Sequence, residues 1–223
     1  MTPMVIAGSA HPSLAEAIAG ELETELAPCL VQRFPDGEQE VEVQACVRDR
    51  AVVVVQPLGP PVGENLLELL LLADACHRAG AGSVTAVTPY VGYARHDRAA
   101  REGQPLGARV LAEALGTGRL SQVIAVDLHS PVVAACMPAP VAHLSAVPAM
   151  VEALRPHAHQ DSVVVAPDLG AVKLAEAYAR PLGLPLVVVH KLRTSATEVA
   201  VQGVVGDVRG KRPLVVDDMI STG

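Results

Sequence analysis

Short runs of β-branched residues alternate with alanine- and leucine-rich runs from one end of the chain to the other, and this alternation restricts the fold more than any other feature. Ala51–Val55, for example, precedes a leucine-rich run that continues to Ala79. A repeated order of strand, helix and strand is typical of parallel sheets whose faces are covered by helices. The sequence therefore predicts an α/β protein with largely parallel sheets.

The individual elements follow from hydrophobic periodicity and from residues that cap helices. One helix is predicted to begin at the capping-box pair Ser13 and Glu16, and a second is predicted to be capped by Asn65 and to run through Ala79. A third, over 171–182, is expected to end at Gly183. Two further helices are predicted over 106–115 and 147–154. Strands are predicted over 4–7, 41–47, 51–55, 84–88, 123–126, 162–166, 186–189 and 214–216.

A weak internal repeat divides the chain into two halves. The segments 52–57 and 162–167 are similar, and each is followed by a helix, a strand, a polar loop and a strand that ends in an aspartate, Asp127 or Asp217. A length of 223 residues suits one large domain or two small ones. We therefore expect two similar domains, 1–145 and 146–223. Gene duplication and convergence on the same α/β order both explain the repeat.

Composition excludes several classes of protein. The chain has 17 basic and 24 acidic residues, and only 2% of its residues are aromatic, so nucleic acid is not an expected partner. The aliphatic run 69–73 is far shorter than the ~20 residues of a membrane-spanning helix. No lysine or arginine precedes Arg33, which argues against a secretory signal. We expect a cytoplasmic protein without a membrane anchor.

The C-terminal segment contains the strongest functional signal. Its apolar strand ends in Asp217 and Asp218, and the small residues Ser221, Thr222 and Gly223 follow. A loop of small residues can direct successive N–H groups toward a phosphate, and adjacent carboxylates suit the vicinal hydroxyls of a ribose. An acidic turn without a ligand is the alternative.

This arrangement resembles the phosphoribosyl-pyrophosphate loop shared by phosphoribosyltransferases and phosphoribosyl-pyrophosphate synthetases. Other segments resemble the motifs of one family, the ribose-phosphate pyrophosphokinases, and they occur in the order of that family. They are RFPDGE (33–38), TPYVGYARHDR (88–98), VDLHS (126–130), APDLGAVK (166–173) and HKLR (190–193). The resemblance implies two similar phosphoribosyltransferase-like α/β domains. Because the chain stops inside the phosphate loop, we expect it to be a fragment whose second domain is incomplete.

The resemblance implies an ATP-binding region in the first half of the chain. In the family, the residues that match Asp36, Gly37 and Glu38 reach the adenine of ATP bound at a neighbouring subunit, and the residue that matches Phe34 stacks on it. A plain β-turn is the alternative for this Pro-Asp-Gly sequence. A second segment, which by resemblance folds over ATP but could equally be a solvated loop, includes Arg95, His96 and Asp97.

Metal ligands are expected where predicted strands end. His129 follows Asp127, and Asp168 lies at the equivalent strand end of the second half. An imidazole and carboxylates that face one cleft could hold Mg²⁺ and its waters against the phosphates of ATP. A structural role is the alternative for a lone histidine.

Lys191 and Arg193 are the expected catalytic residues. Lys191 follows the predicted strand 186–189, in a chain with only three lysines, Lys173, Lys191 and Lys211. A lysine in so arginine-rich a chain suggests a compact charge directed at a phosphate, although chance placement is the alternative. By resemblance the lysine is catalytic, and Arg193 helps to bind the sugar phosphate and the transferred group.

The resemblance implies transfer of the pyrophosphoryl group of Mg-ATP to the C1 hydroxyl of ribose 5-phosphate, in nucleotide biosynthesis, by a homo-oligomer of dimers in a ring. A phosphoribosyltransferase is one rival, but it should lack the ATP-side motifs. A catalytically silent regulatory subunit is another, and it is favoured by Ala99 and Ala100, where the family has more basic residues. The whole protein is expected to be an enzyme, whereas this chain by itself is expected to bind Mg-ATP weakly without measurable synthesis.

Overall fold

The computed structural model describes residues 2–99, 101–193 and 199–220, and for 191–193 and 199–202 it describes the backbone alone. The chain divides into two compact units, Met1–Leu144 and Ser145–Gly223. Each unit has its own core and its own sheet, which is parallel in the first unit and largely parallel in the second. This architecture confirms the predicted α/β class with largely parallel sheets.

The first unit contains a five-stranded parallel sheet in the order β1-β4-β5-β6-β7, together with a separate antiparallel hairpin, β2–β3. Its elements are β1 (Met4–Ala7), α1 (Pro12–Glu21), β2 (Cys29–Arg33), β3 (Gln39–Val43), β4 (Ala51–Val55), α2 (Val62–Arg78), β5 (Ser83–Val87), α3 (Gly107–Thr117), β6 (Gln122–Val126), α4 (Pro131–Cys136) and β7 (Val141–Leu144).

Alternating residues of these strands fill two apolar layers, because successive side chains of a strand lie on opposite faces of the sheet. Val52 and Val54 pack on the side of α2 and α3. Val5 and Val55 pack on the side of α1, against Ala15. The parallel strands direct their carboxyl ends to one edge, and the loops that carry the candidate residues 95–97 and 127–129 begin there, whereas residues 34–38 lie in the turn of the hairpin.

The second unit contains a four-stranded sheet in the order β10-β9-β8-β11, in which only the β9–β10 pair is antiparallel. Its strands and helices are α5 (Val147–Leu154), a 3₁₀ turn (Arg155–His157), β8 (Ser162–Ala166), α6 (Val172–Leu182), β9 (Leu186–Arg193), β10 (Val199–Val205) and β11 (Arg212–Val215). Strand β8 is buried along its whole length because it is central in the sheet. Gly183 ends α6 in the left-handed region, with φ 67°, as predicted.

Two predicted helix starts are wrong. Helix α1 begins at Pro12, and the Nδ1 atom of His11 accepts the backbone N–H of Leu14 at 3.2 Å, so His11 and not Ser13 is the cap. Proline is favoured in the first turn, where its missing N–H costs nothing. Helix α2 begins at Val62, one turn before the predicted start. Asn65 therefore lies inside the first turn and donates its amide to the carbonyl of Gly59 at 2.9 Å.

Several strand boundaries also differ. Strand β3 ends at Val43 rather than continuing to 47, since its partner β2 is preceded by Pro28, which has no N–H with which to extend the ladder. Strand β9 runs to Arg193 because β10 pairs with it, and β11 ends at Val215. The sequence did not predict β2, α4, β7 or β10.

Across the described residues, none of the helices combines the length and the apolar character required to cross a membrane.

Candidate functional site

The β2–β3 hairpin presents the RFPDGE segment in its connecting turn. The N–H of Phe34 donates to the carbonyl of Glu38 at 2.8 Å, and the N–H of Gly37 donates to the carbonyl of Phe34 at 2.9 Å. The carboxylate of Asp36 accepts the N–H of Glu38 at 3.1 Å. Gly37 has φ 95°, a region that favours glycine. The turn is thus fixed by its own hydrogen bonds, and Phe34 remains 44% exposed, available to a ligand or partner.

Helix α2 supports this hairpin. Arg33, at the end of β2, forms an ion pair with Glu64 at 2.6 Å. Gln39, at the start of β3, donates its amide to Glu68 at 3.2 Å. A cavity of about 330 Å³ lies beside these contacts, lined in part by Arg33, Glu64 and Ser9. These supporting residues could not be identified from the sequence, because Glu64 and Glu68 lie in a leucine-rich run whose pattern is typical of an ordinary helix with buried and exposed residues.

The TPYVGYARHDR segment begins at the carboxyl end of β5. A Cβ atom on Gly92 would lie 2.9 Å from the carbonyl oxygen of Leu58, so the chain passes too close there for any residue but glycine. The N–H of His96 donates to the carbonyl of Tyr93 at 2.9 Å. Arg95 and His96 are exposed and Asp97 is half-buried, in the loop between β5 and α3. Ala100 lies outside the described residues.

The loop after β6 is held by β7, a strand that the sequence did not reveal. The N–H of Asp127 donates to the carbonyl of Leu144, and the N–H of Leu128 donates to Nε2 of His143, both at 2.9 Å. Asp127 has φ 43°, a strained conformation for a residue with a side chain. These bonds fix the backbone at Asp127 and Leu128, and His129 follows as an exposed residue.

The second unit gathers acidic residues at one edge of its sheet. Strands β8 and β11 are parallel neighbours, so Asp168 and Asp217, which follow them, lie at the same edge. Partial burial and the carboxylates of Asp218 and Asp168 raise the pKa of Asp217 above the ordinary value of an aspartate. The N–H of Asp218, which donates to Asp217 at 2.9 Å, acts in the opposite direction. One oxygen of Asp168 accepts the N–H groups of Gly170 at 2.9 Å and Ala171 at 3.1 Å, just before α6.

The prediction that Lys191 follows a strand is wrong, because Lys191 and Arg193 belong to β9 itself. The last pair between β9 and β8 is Val188 with Ala166. Beyond this point β10 is the one described strand that pairs with β9, and Lys191 lies opposite Val201. Both residues therefore extend past the carboxyl end of β8. Their side chains lie outside the described part of the structure, as do the predicted phosphate-loop residues Ser221, Thr222 and Gly223.

The described residues contain no group of three or more histidine, cysteine, aspartate or glutamate side chains that could hold a metal ion. Of the predicted ligands, Asp127 and His129 belong to the first unit and Asp168 to the second. Mg²⁺ usually keeps several waters and needs only one or two protein carboxylates in addition to substrate phosphates. The oxygen donors of Asp168 and Asp217, whose mutual repulsion a cation would relieve, fit such an ion.

Two α/β units with parallel sheets, and with carboxylates at the edge of the second sheet, define a protein of the phosphoribosyltransferase-like class. Residues 3–118 match the model of the N-terminal domain of ribose phosphate pyrophosphokinase, and residues 147–223 match the model of the phosphoribosyl transferase domain. The chain belongs to the ribose-phosphate pyrophosphokinase family of enzymes, which confirms the resemblance found in the sequence.

Comparison with individual proteins gives the same family. The chain is 39% identical to a ribose-phosphate pyrophosphokinase of Ralstonia nicotianae over 221 residues, covering 99% of this chain and 70% of the relative. It is 40% identical to the one from Gloeobacter violaceus over 219 residues, covering 98% and 66%. The crystal structure of phosphoribosylpyrophosphate synthetase from Mycobacterium smegmatis superimposes with a TM-score of 0.86 at 36% identity, covering all of this chain and 73% of that one. The chain thus spans about two thirds of the length of these curated relatives.

Proposed function

We propose that the protein transfers the β,γ-pyrophosphoryl group of Mg-ATP to the C1 hydroxyl of ribose 5-phosphate, which forms phosphoribosyl pyrophosphate and AMP. One observation carries this proposal. The chain combines the acidic end of β11 with the structured RFPDGE turn, and a phosphoribosyltransferase that uses no ATP has no need of the second feature. The match to the pyrophosphokinase N-terminal domain over 3–118 supports the same choice.

The ATP side of the site is assigned to the first unit. Phe34 stacks on the adenine, while Asp36, Gly37 and Glu38 supply polar contacts to it. The exposed ring of Phe34 and the hydrogen-bonded turn beneath it support this assignment, since a rigid turn loses little entropy when it binds a flat base. Arg95, His96 and Asp97 belong to the loop that binds ATP and excludes water from it.

The ribose 5-phosphate side is assigned to the second unit. Asp217 and Asp218 accept hydrogen bonds from the ribose hydroxyls, and the 5-phosphate binds the amides of Ser221, Thr222 and Gly223. The exposed position of both aspartates at a strand end supports the first part of this assignment. Lys191 and Arg193 stabilise the negative charge of the transferred group and of the sugar phosphate. The hydroxyl attacks the β-phosphorus in line, and the protein contributes position and charge.

Magnesium ion is the proposed cofactor, and its candidate ligands are Asp127 and His129 of the first unit and Asp168 of the second. When bound, Mg²⁺ neutralises phosphate charge and orients the phosphates. The raised pKa of Asp217 beside Asp168 supports a cation at this edge of the second unit, because a nearby positive charge favours both ionised carboxylates. We assign Asp217 to the sugar hydroxyls nonetheless, since it lies at the start of the proposed phosphoribosyl loop.

The working protein is proposed to be a cytoplasmic homo-oligomer built from dimers in a ring, in which the turn at Phe34 reaches ATP bound at a neighbouring subunit. The proposed domains are 1–145 and 146–223. Exposure of the turn on a single chain supports this arrangement, because a ligand of a neighbouring subunit can reach only an exposed residue.

Product analysis tests the proposal. The protein from its complete coding sequence is incubated with ATP, Mg²⁺ and ribose 5-phosphate, and nucleotides are separated by chromatography. The expected result is AMP in equal amount to phosphoribosyl pyrophosphate. Release of ADP would exclude a pyrophosphokinase. ATP binding without turnover would instead favour the silent regulatory subunit, and turnover of phosphoribosyl pyrophosphate with a base would favour a phosphoribosyltransferase.

A further inference from the structure

Helix α2 presents two glutamates to the hairpin that carries the proposed adenine contacts. Glu64 and Glu68 are four residues apart, so they lie on the same face of the helix, one turn from each other. Opposite them stand Arg33 and Gln39, the last cross-strand pair before the turn. Residues that face each other across an antiparallel pair lie on one side of the hairpin. Each glutamate thus meets one end of the turn.

The contact at Glu64 is an exposed ion pair. The guanidinium of Arg33 donates to Glu64 at 2.6 Å and also to the carbonyl of Gly37 at 3.0 Å, so it joins the helix to the middle of the turn. Both side chains are about half exposed. Ion pairs in such positions contribute little to stability, because solvent screens them.

The contact at Glu68 is of a different kind. Glu68 is only 1% exposed, and its carboxylate accepts three hydrogen bonds. The N–H and the hydroxyl of Ser9 each donate at 2.5 Å, and the amide of Gln39 donates at 3.2 Å. One buried carboxylate therefore connects α2, the loop after β1 and the first residue of β3. A buried charged acceptor is costly to leave without its donors, so this connection is much stronger than the exposed ion pair.

We propose that Glu68 is a positioning residue for the nucleotide. Through Gln39, Glu68 holds the turn 34–38 in the conformation that binds ATP, and Glu64 provides a weaker second contact. The inference rests on the proposed function, since it takes the turn to contact ATP. Glu68 itself touches no substrate. Its effect passes through Gln39, which is the neighbour of Glu38 in the chain, and through Ser9 on the opposite side.

The test compares Glu68→Gln with Asp74→Asn, a matched control on the same helix whose carboxylate pairs with the exposed Arg78. Hydrogen–deuterium exchange is measured on the amides of Phe34 and Gly37, which close the turn, and calorimetry gives the affinity for ATP and for ribose 5-phosphate. Loss of hydrogen bonds to a charged group should raise turn exchange and the Kd for ATP roughly tenfold to a hundredfold. The affinity for ribose 5-phosphate should not change, and the control should match the unaltered protein in every measurement.

A second variant, Gln39→Met, keeps the test decisive if Glu68→Gln does not fold. The substitution removes one of the three donors to Glu68, but both donors of Ser9 remain, and within the described residues the buried side-chain oxygen of Gln39 has no partner to lose, so the variant should still fold. Gln39→Met should reproduce the effects on turn exchange and ATP affinity. Unchanged exchange in both variants would overturn the proposal, as would raised exchange with unchanged ATP affinity. If the unaltered protein binds no ATP, the proposed function fails, and turn exchange alone then decides whether Glu68 holds the hairpin.

Discussion

Thr88 offers a direct test of the energetics of the first unit. The residue stands at the carboxyl end of β5, fully buried, and its hydroxyl has no hydrogen-bond partner among the described residues. Its backbone N–H is satisfied by the carbonyl of Ile124 at 2.8 Å. An unpaired hydroxyl in the core costs about 1–3 kcal/mol. Valine has nearly the same shape and the same β-branched preference for a strand, so Thr88→Val removes this cost without a cavity.

The expected result is a gain of about 1–2 kcal/mol in the free energy of unfolding. This gain is smaller than the full cost of an unpaired hydroxyl, because the unfolded chain already buries part of the side chain. For a chain of this size, each kcal/mol shifts the midpoint of thermal unfolding by about 2–4 °C. Urea unfolding followed by circular dichroism measures the free energy, and a thermal scan measures the midpoint.

Thr85→Val, within β5 and three residues before Thr88, is the control. Thr85 is only half-buried, so its hydroxyl can bond to water, and the substitution should change stability by less than about 0.5 kcal/mol. A loss of about 1 kcal/mol or more in Thr88→Val would refute the reasoning, because it would mean that the hydroxyl has a partner in the folded protein.

Three further predictions concern other side chains. If Lys191 stabilises charge mainly in the transition state, Lys191→Ala should lower kcat by roughly 10²–10³ with little change in KM, and steady-state kinetics with a normal kcat would contradict its catalytic role. Burial raises the pKa of Cys29 to about 11 and that of Cys76 to about 12, so iodoacetamide should modify the exposed Cys46 and Cys136 much faster, as peptide mass spectrometry can show. Both thiols have a higher pKa in the folded state than in the unfolded state, so their contribution to stability should be present at neutral pH and should decline as the pH rises above about 9. A urea midpoint that stays constant from pH 8 to pH 10.5 would contradict this prediction.

The main sheet could be predicted because its strands are locally distinctive. Ala51–Val55 and Ser162–Ala166 each contain an unbroken run of at least three valines, and no helical pattern competes with them. Strand β7, by contrast, is only four residues long and contains the polar His143, so nothing local marks it as a strand. It forms because it completes the edge beside β6.

The residues of the candidate site also divide into those that the sequence reveals and those that it does not. Asp217 and Asp218 are visible in the sequence because they end an apolar strand. The role of Glu68 is not visible, since its main partner Ser9 stands 59 residues away and is brought near only by the packing of α2 on the sheet. Likewise, the sequence placed Lys191 after a strand because the apolar run ends at Val189, whereas pairing with β10 extends the strand to Arg193.

The fate of the β-phosphorus of ATP tests the proposed reaction most directly. The protein from its complete coding sequence is given ribose 5-phosphate, Mg²⁺ and ATP that carries a phosphorus radioisotope at its β-position, and the products are separated by chromatography and their radioactivity is counted. Transfer of a pyrophosphoryl group predicts that all of the label enters the sugar product and that the AMP released is unlabelled. Label retained in a nucleoside diphosphate would contradict the account, because only the γ-phosphoryl group would then have moved.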